Sequence, residues 1–259
     1  MLENILIVTL SLLMSYVALF LLSVRLKDNS IADVFWGVWF VIITILTYFL
    51  GWVWYTSQVV MTLLVSAWWI RLFLNILSKK LPYDGKEDPR YKRWRESWKY
   101  FYTRSFFQVY MFQWLLMLLV ATPIFILNLS SWFEENLTLT FLGGAIALFG
   151  LFYEARADGE LAGFIKNKKS WEILTGGLRY FSRYPQYFWE SVFWFGVAMI
   201  AAQVSIWWFV WWVIITVLVR FVSGVPLLEE RYAWQKNYEK YSVITPIFFP
   251  DYSKIQFKK

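Results

Sequence analysis

The chain contains no cysteine and no histidine. The first absence excludes disulfides and thiolate chemistry. The second removes the usual general base at neutral pH and the commonest metal ligand, so no metal site is expected. Charge is also scarce. Only 17% of the 259 residues are charged, against about 25% in an ordinary soluble domain. The chain is instead 59% hydrophobic and 22% aromatic. One soluble core of this size could not hide that much apolar surface, so lipid is the expected solvent. The net charge of +7 fits the cationic bias of cytosolic loops better than nucleic-acid binding. Membrane lipids are thus the expected surroundings, with no nucleic-acid partner and no obligate protein partner evident.

A membrane-crossing helix needs about 20 residues. Residues 4–24 lie uncharged between Glu3 and Arg25, with no basic stretch ahead of them, and read as a retained first span rather than a cleaved signal. The uncharged run 34–70 is too long for one helix and fits spans at about 33–51 and 57–77, turning near Gly51 to Ser57. Further spans fall at about 105–127 and 137–156. The last apolar stretch, Ser191 to Val219, admits one long helix or a hairpin of two, 185–202 and 205–223. With a hairpin and the N-terminus outside, all 25 Lys and Arg fall on one side, and the outer loops carry only Glu3, Glu134 and Glu135. The positive-inside rule therefore favours an all-α, polytopic integral membrane protein. It would be a single transmembrane domain over 1–259 with about seven helices, N-terminus out and C-terminus in. Trp52, Trp54, Trp207, Trp208, Trp211 and Trp212 then sit near the outer turns as an interfacial aromatic belt.

The inner surface comprises residues 79–104, 157–184 and 225–259. In the first, Asp88 followed by Pro89 is a helix N-cap and first-turn proline. Tyr91, Trp94, Trp98 and Phe101 follow at helical spacing among cations, the pattern of a helix lying on the membrane. A second surface helix is expected within 224–250, ending before Pro246. Asp33 with Arg71, and Glu190 with Arg220, lie at matching depths just below the inner surface and are expected to pair. No charge is expected at the bilayer midplane, which weighs against a proton pump or ion carrier.

The run GLRYFSRYPQYFWE at 177–190 resembles the signature Gly-Leu-Trp-x-x-(Ser/Thr)-Arg-His-Pro-Asn-Tyr-x-Gly-Glu of bacterial membrane proteins related to steroid 5α-reductases. ADVFWG (32–37), WWIRL (68–72), EDPRY (87–91), YEARADGELAGF (153–164) and SGVPLLE (223–229) follow the same family in order, as do Tyr238, Tyr241, Thr245 and Pro250. The resemblance implies a seven-helix reductase-like bundle in the bacterial inner (plasma) membrane with its site facing the cytosol. Its implied chemistry is NADPH-dependent reduction of a carbon–carbon double bond in a lipophilic, isoprenoid or steroid-like small molecule.

Carried over by position, Glu154 and Asp158 would bond ribose or amide groups. Arg179 and Arg183, with Lys166, would hold phosphates, and Gln186, Tyr187 and Glu190 would meet the nicotinamide. Glu229 and Tyr241 would close the pocket from the tail. Three positions depart from the family: its histidine is Tyr184, its asparagine Gln186 and its small glycine Trp189, whose indole would fill space a ligand could use. The Gln-Glu-Leu-Pro-Ser element of steroid reductases is absent, so no catalytic residue is carried over. Two alternatives stay open. One is a membrane methyltransferase using S-adenosylmethionine, of the isoprenylcysteine or phospholipid type, whose Arg-His-Pro-x-Tyr-x-Gly element and later paired acids are loosely matched by Glu229 and Glu230. The other is a non-enzymatic protein that keeps the fold.

Overall fold

The computed structural model describes residues 2–80, 87–167, 172–232 and 235–254. Parts of all three expected inner segments, including 81–86, 168–171 and 255–259, lie outside that range. The described chain is all-helical, without strands. Six of its helical stretches are long and apolar enough to cross a bilayer. In these stretches only 22–39% of the apolar window is buried within the protein. The remaining apolar side chains point outward, such as Leu6, Met14, Phe49, Leu63, Phe141 and Phe152. A soluble protein would bury such a surface; this arrangement is stable when the exterior is lipid. The chain is a polytopic integral membrane protein.

Where a single domain was expected, the chain divides into two compact units, Met1–Leu137 and Thr138–Lys259. The first holds α1 (Leu2–Leu26), α2 (Ile31–Leu50), α3 (Thr56–Lys80), α4 (Pro89–Ser97), α5 (Phe101–Ser105) and α6 (Phe112–Leu129). A π-helical turn, Phe106–Met111, joins α5 to α6 in one apolar stretch. Helix α2 packs on α1, α3 and α6. Its contact with α3 centres on the stacked rings of Phe40 and Trp69, 3.6 Å apart. At the other end of α2, Asn128 Nδ2 donates to Thr47 Oγ1 at 3.1 Å, while Gln58 Nε2 caps the carbonyl of Leu127 at 2.9 Å. Such bonds hold helices together where no water can satisfy their ends.

Helix α4 starts where the sequence placed it. Asp88 accepts from the backbone N–H of Arg90 at 2.8 Å, and Pro89 fills the first turn. The expected single surface helix nevertheless breaks at Trp98, whose backbone is extended. Arg90 Nη2 reaches Asp33 at 2.8 Å, Tyr91 donates to the same carboxylate at 2.7 Å and Gln113 Nε2 of α6 donates to it at 3.3 Å, so the partners shown for Asp33 lie on α4 and α6 and do not include Arg71. Arg71 lies over the Trp68 ring. In the second unit, the guanidinium of Arg220, expected to meet Glu190, lies 4.7 Å over the ring of Phe221.

The second unit holds α7 (Leu137–Asn167, from the boundary onward), α8 (Pro185–Ala201), α9 (Trp208–Leu218), α10 (Val225–Tyr232) and α11 (Lys236–Ile244). Helix α7 continues 11 residues past the expected span end at 156, to Asn167. In place of the expected hairpin stand α8, of 17 residues, and an apolar helical stretch, Trp208–Glu230, that begins with α9. The expected tail helix is two helices, α10 and α11. Gly143 and Gly196 let the α7 and α8 backbones touch. A Cβ on Gly143 would come within 2.7 Å of the Gly196 carbonyl oxygen, so any side chain there must push the helices apart.

Candidate functional site

The loop between α7 and α8 is shaped by one glycine. Gly177 sits at φ +62°, a conformation that favours glycine. A Cβ there would collide with the Glu160 carboxylate. That carboxylate accepts from the N–H of Leu178 at 2.8 Å and pairs with Arg156, one turn away, at 3.2 Å. Glu160 thereby pins the short 3-10 turn Gly177–Tyr180 against α7. The tail fastens the other side of the loop. Arg183 N–H donates to the Pro246 carbonyl at 2.8 Å, Ser182 Oγ to that of Phe248 at 2.9 Å, and Asp251 N–H to that of Phe181 at 2.9 Å.

This double attachment turns two arginines inward. Arg179 is 6% exposed. Its Nη1 donates to the Arg183 carbonyl at 2.6 Å and its Nη2 to Gln186 Oε1 at 3.2 Å. Tyr241 donates to the Arg179 carbonyl. Arg183 Nη1 meets both carboxylate oxygens of Glu229, at 2.8 and 2.9 Å. Tyr238 gives its single proton to Glu229, so it accepts from Tyr184 at 2.8 Å. A chain of bonds therefore runs Tyr184, Tyr238, Glu229, Arg183. Burial, and then the hydrogen bonds to Tyr238 and Glu229, push the Tyr184 phenol well above its ordinary range. Burial and the bond to Glu229 push Tyr238 upward as well.

Beside these groups lies a small, partly open cleft. Tyr184, Tyr232, Tyr238 and Tyr241 line it, together with Arg179, Glu172 and aliphatic side chains of α7. Arg179 Nε and Arg183 Nε are buried and have no hydrogen-bond partner among the described residues. Buried guanidinium donors without an acceptor are costly. They mark a place where an acceptor from outside would be favoured.

The sequence-derived candidates separate here. Arg179, Arg183, Gln186, Glu229 and Tyr241 converge through the bonds above. Tyr187 lies beside this group, its ring 6.3 Å from that of Tyr184 and packed against Gly224, while Asp158 sits on α7 and Glu190 on α8. Glu154 is buried on α7, one turn before Asp158. Lys166 is exposed near the end of α7 and is not among the residues lining the cleft. Trp189 does not line it either. Its indole stacks on Tyr153 at 4.7 Å and meets Phe149 edge-on at 5.4 Å, filling the α7–α8 contact. Sequence reasoning missed Glu160, Glu172 and Tyr232, and treated Tyr184 only as a lost histidine. The Gly176-Gly177 pair signals a left-handed turn, but nothing in the sequence tells which acid lies under it.

A family model described as a protein of unknown function, DUF1295, matches residues 19–245. The chain belongs to the DUF1295 family. The match takes in the whole candidate loop, helices α7 to α10 and α11 as far as its last residue. No curated protein and no solved structure matches this DUF1295 chain.

Proposed function

We propose that this DUF1295 protein is an NADPH-dependent reductase of a carbon–carbon double bond in a lipophilic, isoprenoid or steroid-like substrate. The observation that carries the reading is buried Arg179 in the wall of a cleft that four tyrosines share, with an Nε donor that meets no acceptor among the described residues. Guanidinium forks suit phosphates, and flat aromatic walls suit a ring. In this reading Arg179, in the cleft wall, would take a phosphate oxygen, Arg183, whose carbonyl it holds, would supply a second cation outside the lining, and Tyr184, Tyr238 and Tyr241 would flank a base or ring. Glu172 at the cleft rim and Glu229 on Arg183 oppose a phosphate, so Glu229 must yield part of its contact when an anion enters. NADPH, when bound, supplies the hydride. The protein's own contribution is to orient the ring, exclude water and keep the phenols protonated.

The topology supports the same reading. With the N-terminus outside, the cleft opens to the cytosol of a bacterial inner membrane, where a soluble cofactor is available, and the substrate arrives sideways from lipid. The resemblance to steroid 5α-reductase relatives supplies the reaction class. Titration of the purified protein with NADPH, and separately with S-adenosylmethionine, tests it. Saturable NADPH binding that weakens about ten- to a hundred-fold in Arg183→Ala, the value of one charge-assisted contact, is expected. Binding of S-adenosylmethionine alone moves the assignment to a methyltransferase. Binding of neither leaves a non-enzymatic protein with the family fold.

A further inference from the structure

The first unit carries a separate feature, built on α4 and the turn after it. At nine residues and about 1.5 Å per residue, α4 is about 14 Å long, less than half a hydrocarbon core of about 30 Å. It lies in sequence between two spans, α3 and the apolar stretch from Phe101, and therefore at the bilayer surface. Its cations are divided. Arg90 pairs with Asp33 at 2.8 Å and with Asp88 at 3.1 Å. Arg95 makes a two-pronged pair with Glu87 at 2.8 and 2.9 Å. Glu87 also accepts from the N–H of Asn29 at 2.9 Å. These bonds fix one edge of α4 to the turn between α1 and α2.

The other edge is open. Lys92, Arg93, Lys99 and Arg104 are exposed, with Glu96 the one acid among them. Tyr100 and Tyr102 stand out beside these cations, 65% and 52% exposed. The segment holds its shape through a ring ladder: Trp94 stacks on Trp98 at 5.1 Å, and Trp98 meets Phe101 at 6.2 Å. We propose that this open edge is a binding surface for anionic lipid headgroups. Four cations against one acid are complementary to a negatively charged leaflet. Aromatic rings placed among them belong at headgroup depth. The two arginines paired with internal carboxylates hold α4, which presents Lys92 and Arg93, and the ring ladder carries that order on to Lys99 and to Arg104 of α5. This inference does not depend on the reductase reading.

The test uses the full-length protein, delipidated in detergent and offered phosphatidylglycerol or phosphatidylcholine, with retained lipid counted by native mass spectrometry. Wild type is expected to retain phosphatidylglycerol preferentially. The variant Lys92→Gln/Arg93→Gln/Lys99→Gln/Arg104→Gln should lose that preference by about ten-fold or more, given the usual value of a cation near an anionic surface. Glu96→Gln should increase it. The melting temperature of each variant checks folding, and the double variant Lys92→Gln/Lys99→Gln carries the test should the quadruple one not fold. Equal retention of both lipids by wild type overturns the proposal. So does an unchanged preference in a folded charge variant. Displacement of the lipid by inorganic phosphate at equal concentration also overturns it, because the site would then be one for free phosphate.

Discussion

Two clusters of charge, one in each unit, use the same residue types differently. In the first unit, Arg90 is 57% exposed at its side chain and pairs with two carboxylates. Arg95, 26% exposed, forms a complete fork with Glu87. In the second, the Arg183 side chain is 12% exposed and Arg179 is buried, and each keeps one donor without an acceptor among the described residues. The first cluster is closed. Its carboxylates and cations satisfy each other and tie α4 to its neighbours. The second is open, and its donors outnumber the acceptors offered.

The largest expected effect is at the helix contact beneath the open cluster. Trp189→Gly removes an indole stacked on Tyr153 and should cost about 3–5 kcal/mol, the range for deleting a large buried ring. It should leave NADPH affinity unchanged, since Trp189 does not line the cleft. Thermal melts in detergent with a parallel binding titration check both halves; a gain in affinity would return Trp189 to the site.

Next comes the contrast between the clusters. Arg183→Ala strands Glu229, whose partners shown are Arg183 and Tyr238. Breaking a fully buried pair costs about 3–5 kcal/mol, and the 30% exposure of Glu229 brings the expectation to about 1–3 kcal/mol. Arg90→Ala, at an exposed pair, should cost under about 1 kcal/mol. Equal losses of stability would mean that the two clusters do not differ in this way. Tyr238→Phe removes the hydroxyl that bridges Tyr184 and Glu229, with an expected cost of about 1–2 kcal/mol.

The smallest effect is on pH dependence. Burial raises the phenols of Tyr184 and Tyr238 above their ordinary value, which is about 10. A folded state that holds its protons more tightly than the unfolded chain is fully stable below the unfolded pKa and loses stability as pH rises past it. Wild type should therefore lose melting temperature above about pH 10, and Tyr184→Phe/Tyr238→Phe should lose less over the same range. Parallel slopes for the two proteins would mean these phenols are not held protonated by the fold.

Much of the frame was legible in the chain. Apolar runs bounded by single charges pointed to a polytopic all-helical chain because a helix in lipid must carry a long apolar stretch. Asp88 and Pro89 located the start of α4 because capping is local chemistry within one turn. The break at Trp98 and the extension of α7 to Asn167 were not legible. Helix ends beyond the bilayer are set by packing partners that a single segment does not contain.

The sequence by itself determined the solvent, the all-helical class and the segments carrying the candidate residues, since each follows from composition or from patterns within one stretch of chain. Only the tertiary structure decided which charges meet. Asp33 is shown with Arg90, 57 positions away, rather than with Arg71. Arg183 meets Glu229, 46 positions away. Glu160 lies under Gly177, and Trp189 turns to α7 and leaves the cleft to four tyrosines. Those choices depend on how separated segments converge in space, and a side chain's partner is fixed only when its neighbours from elsewhere in the chain have arrived.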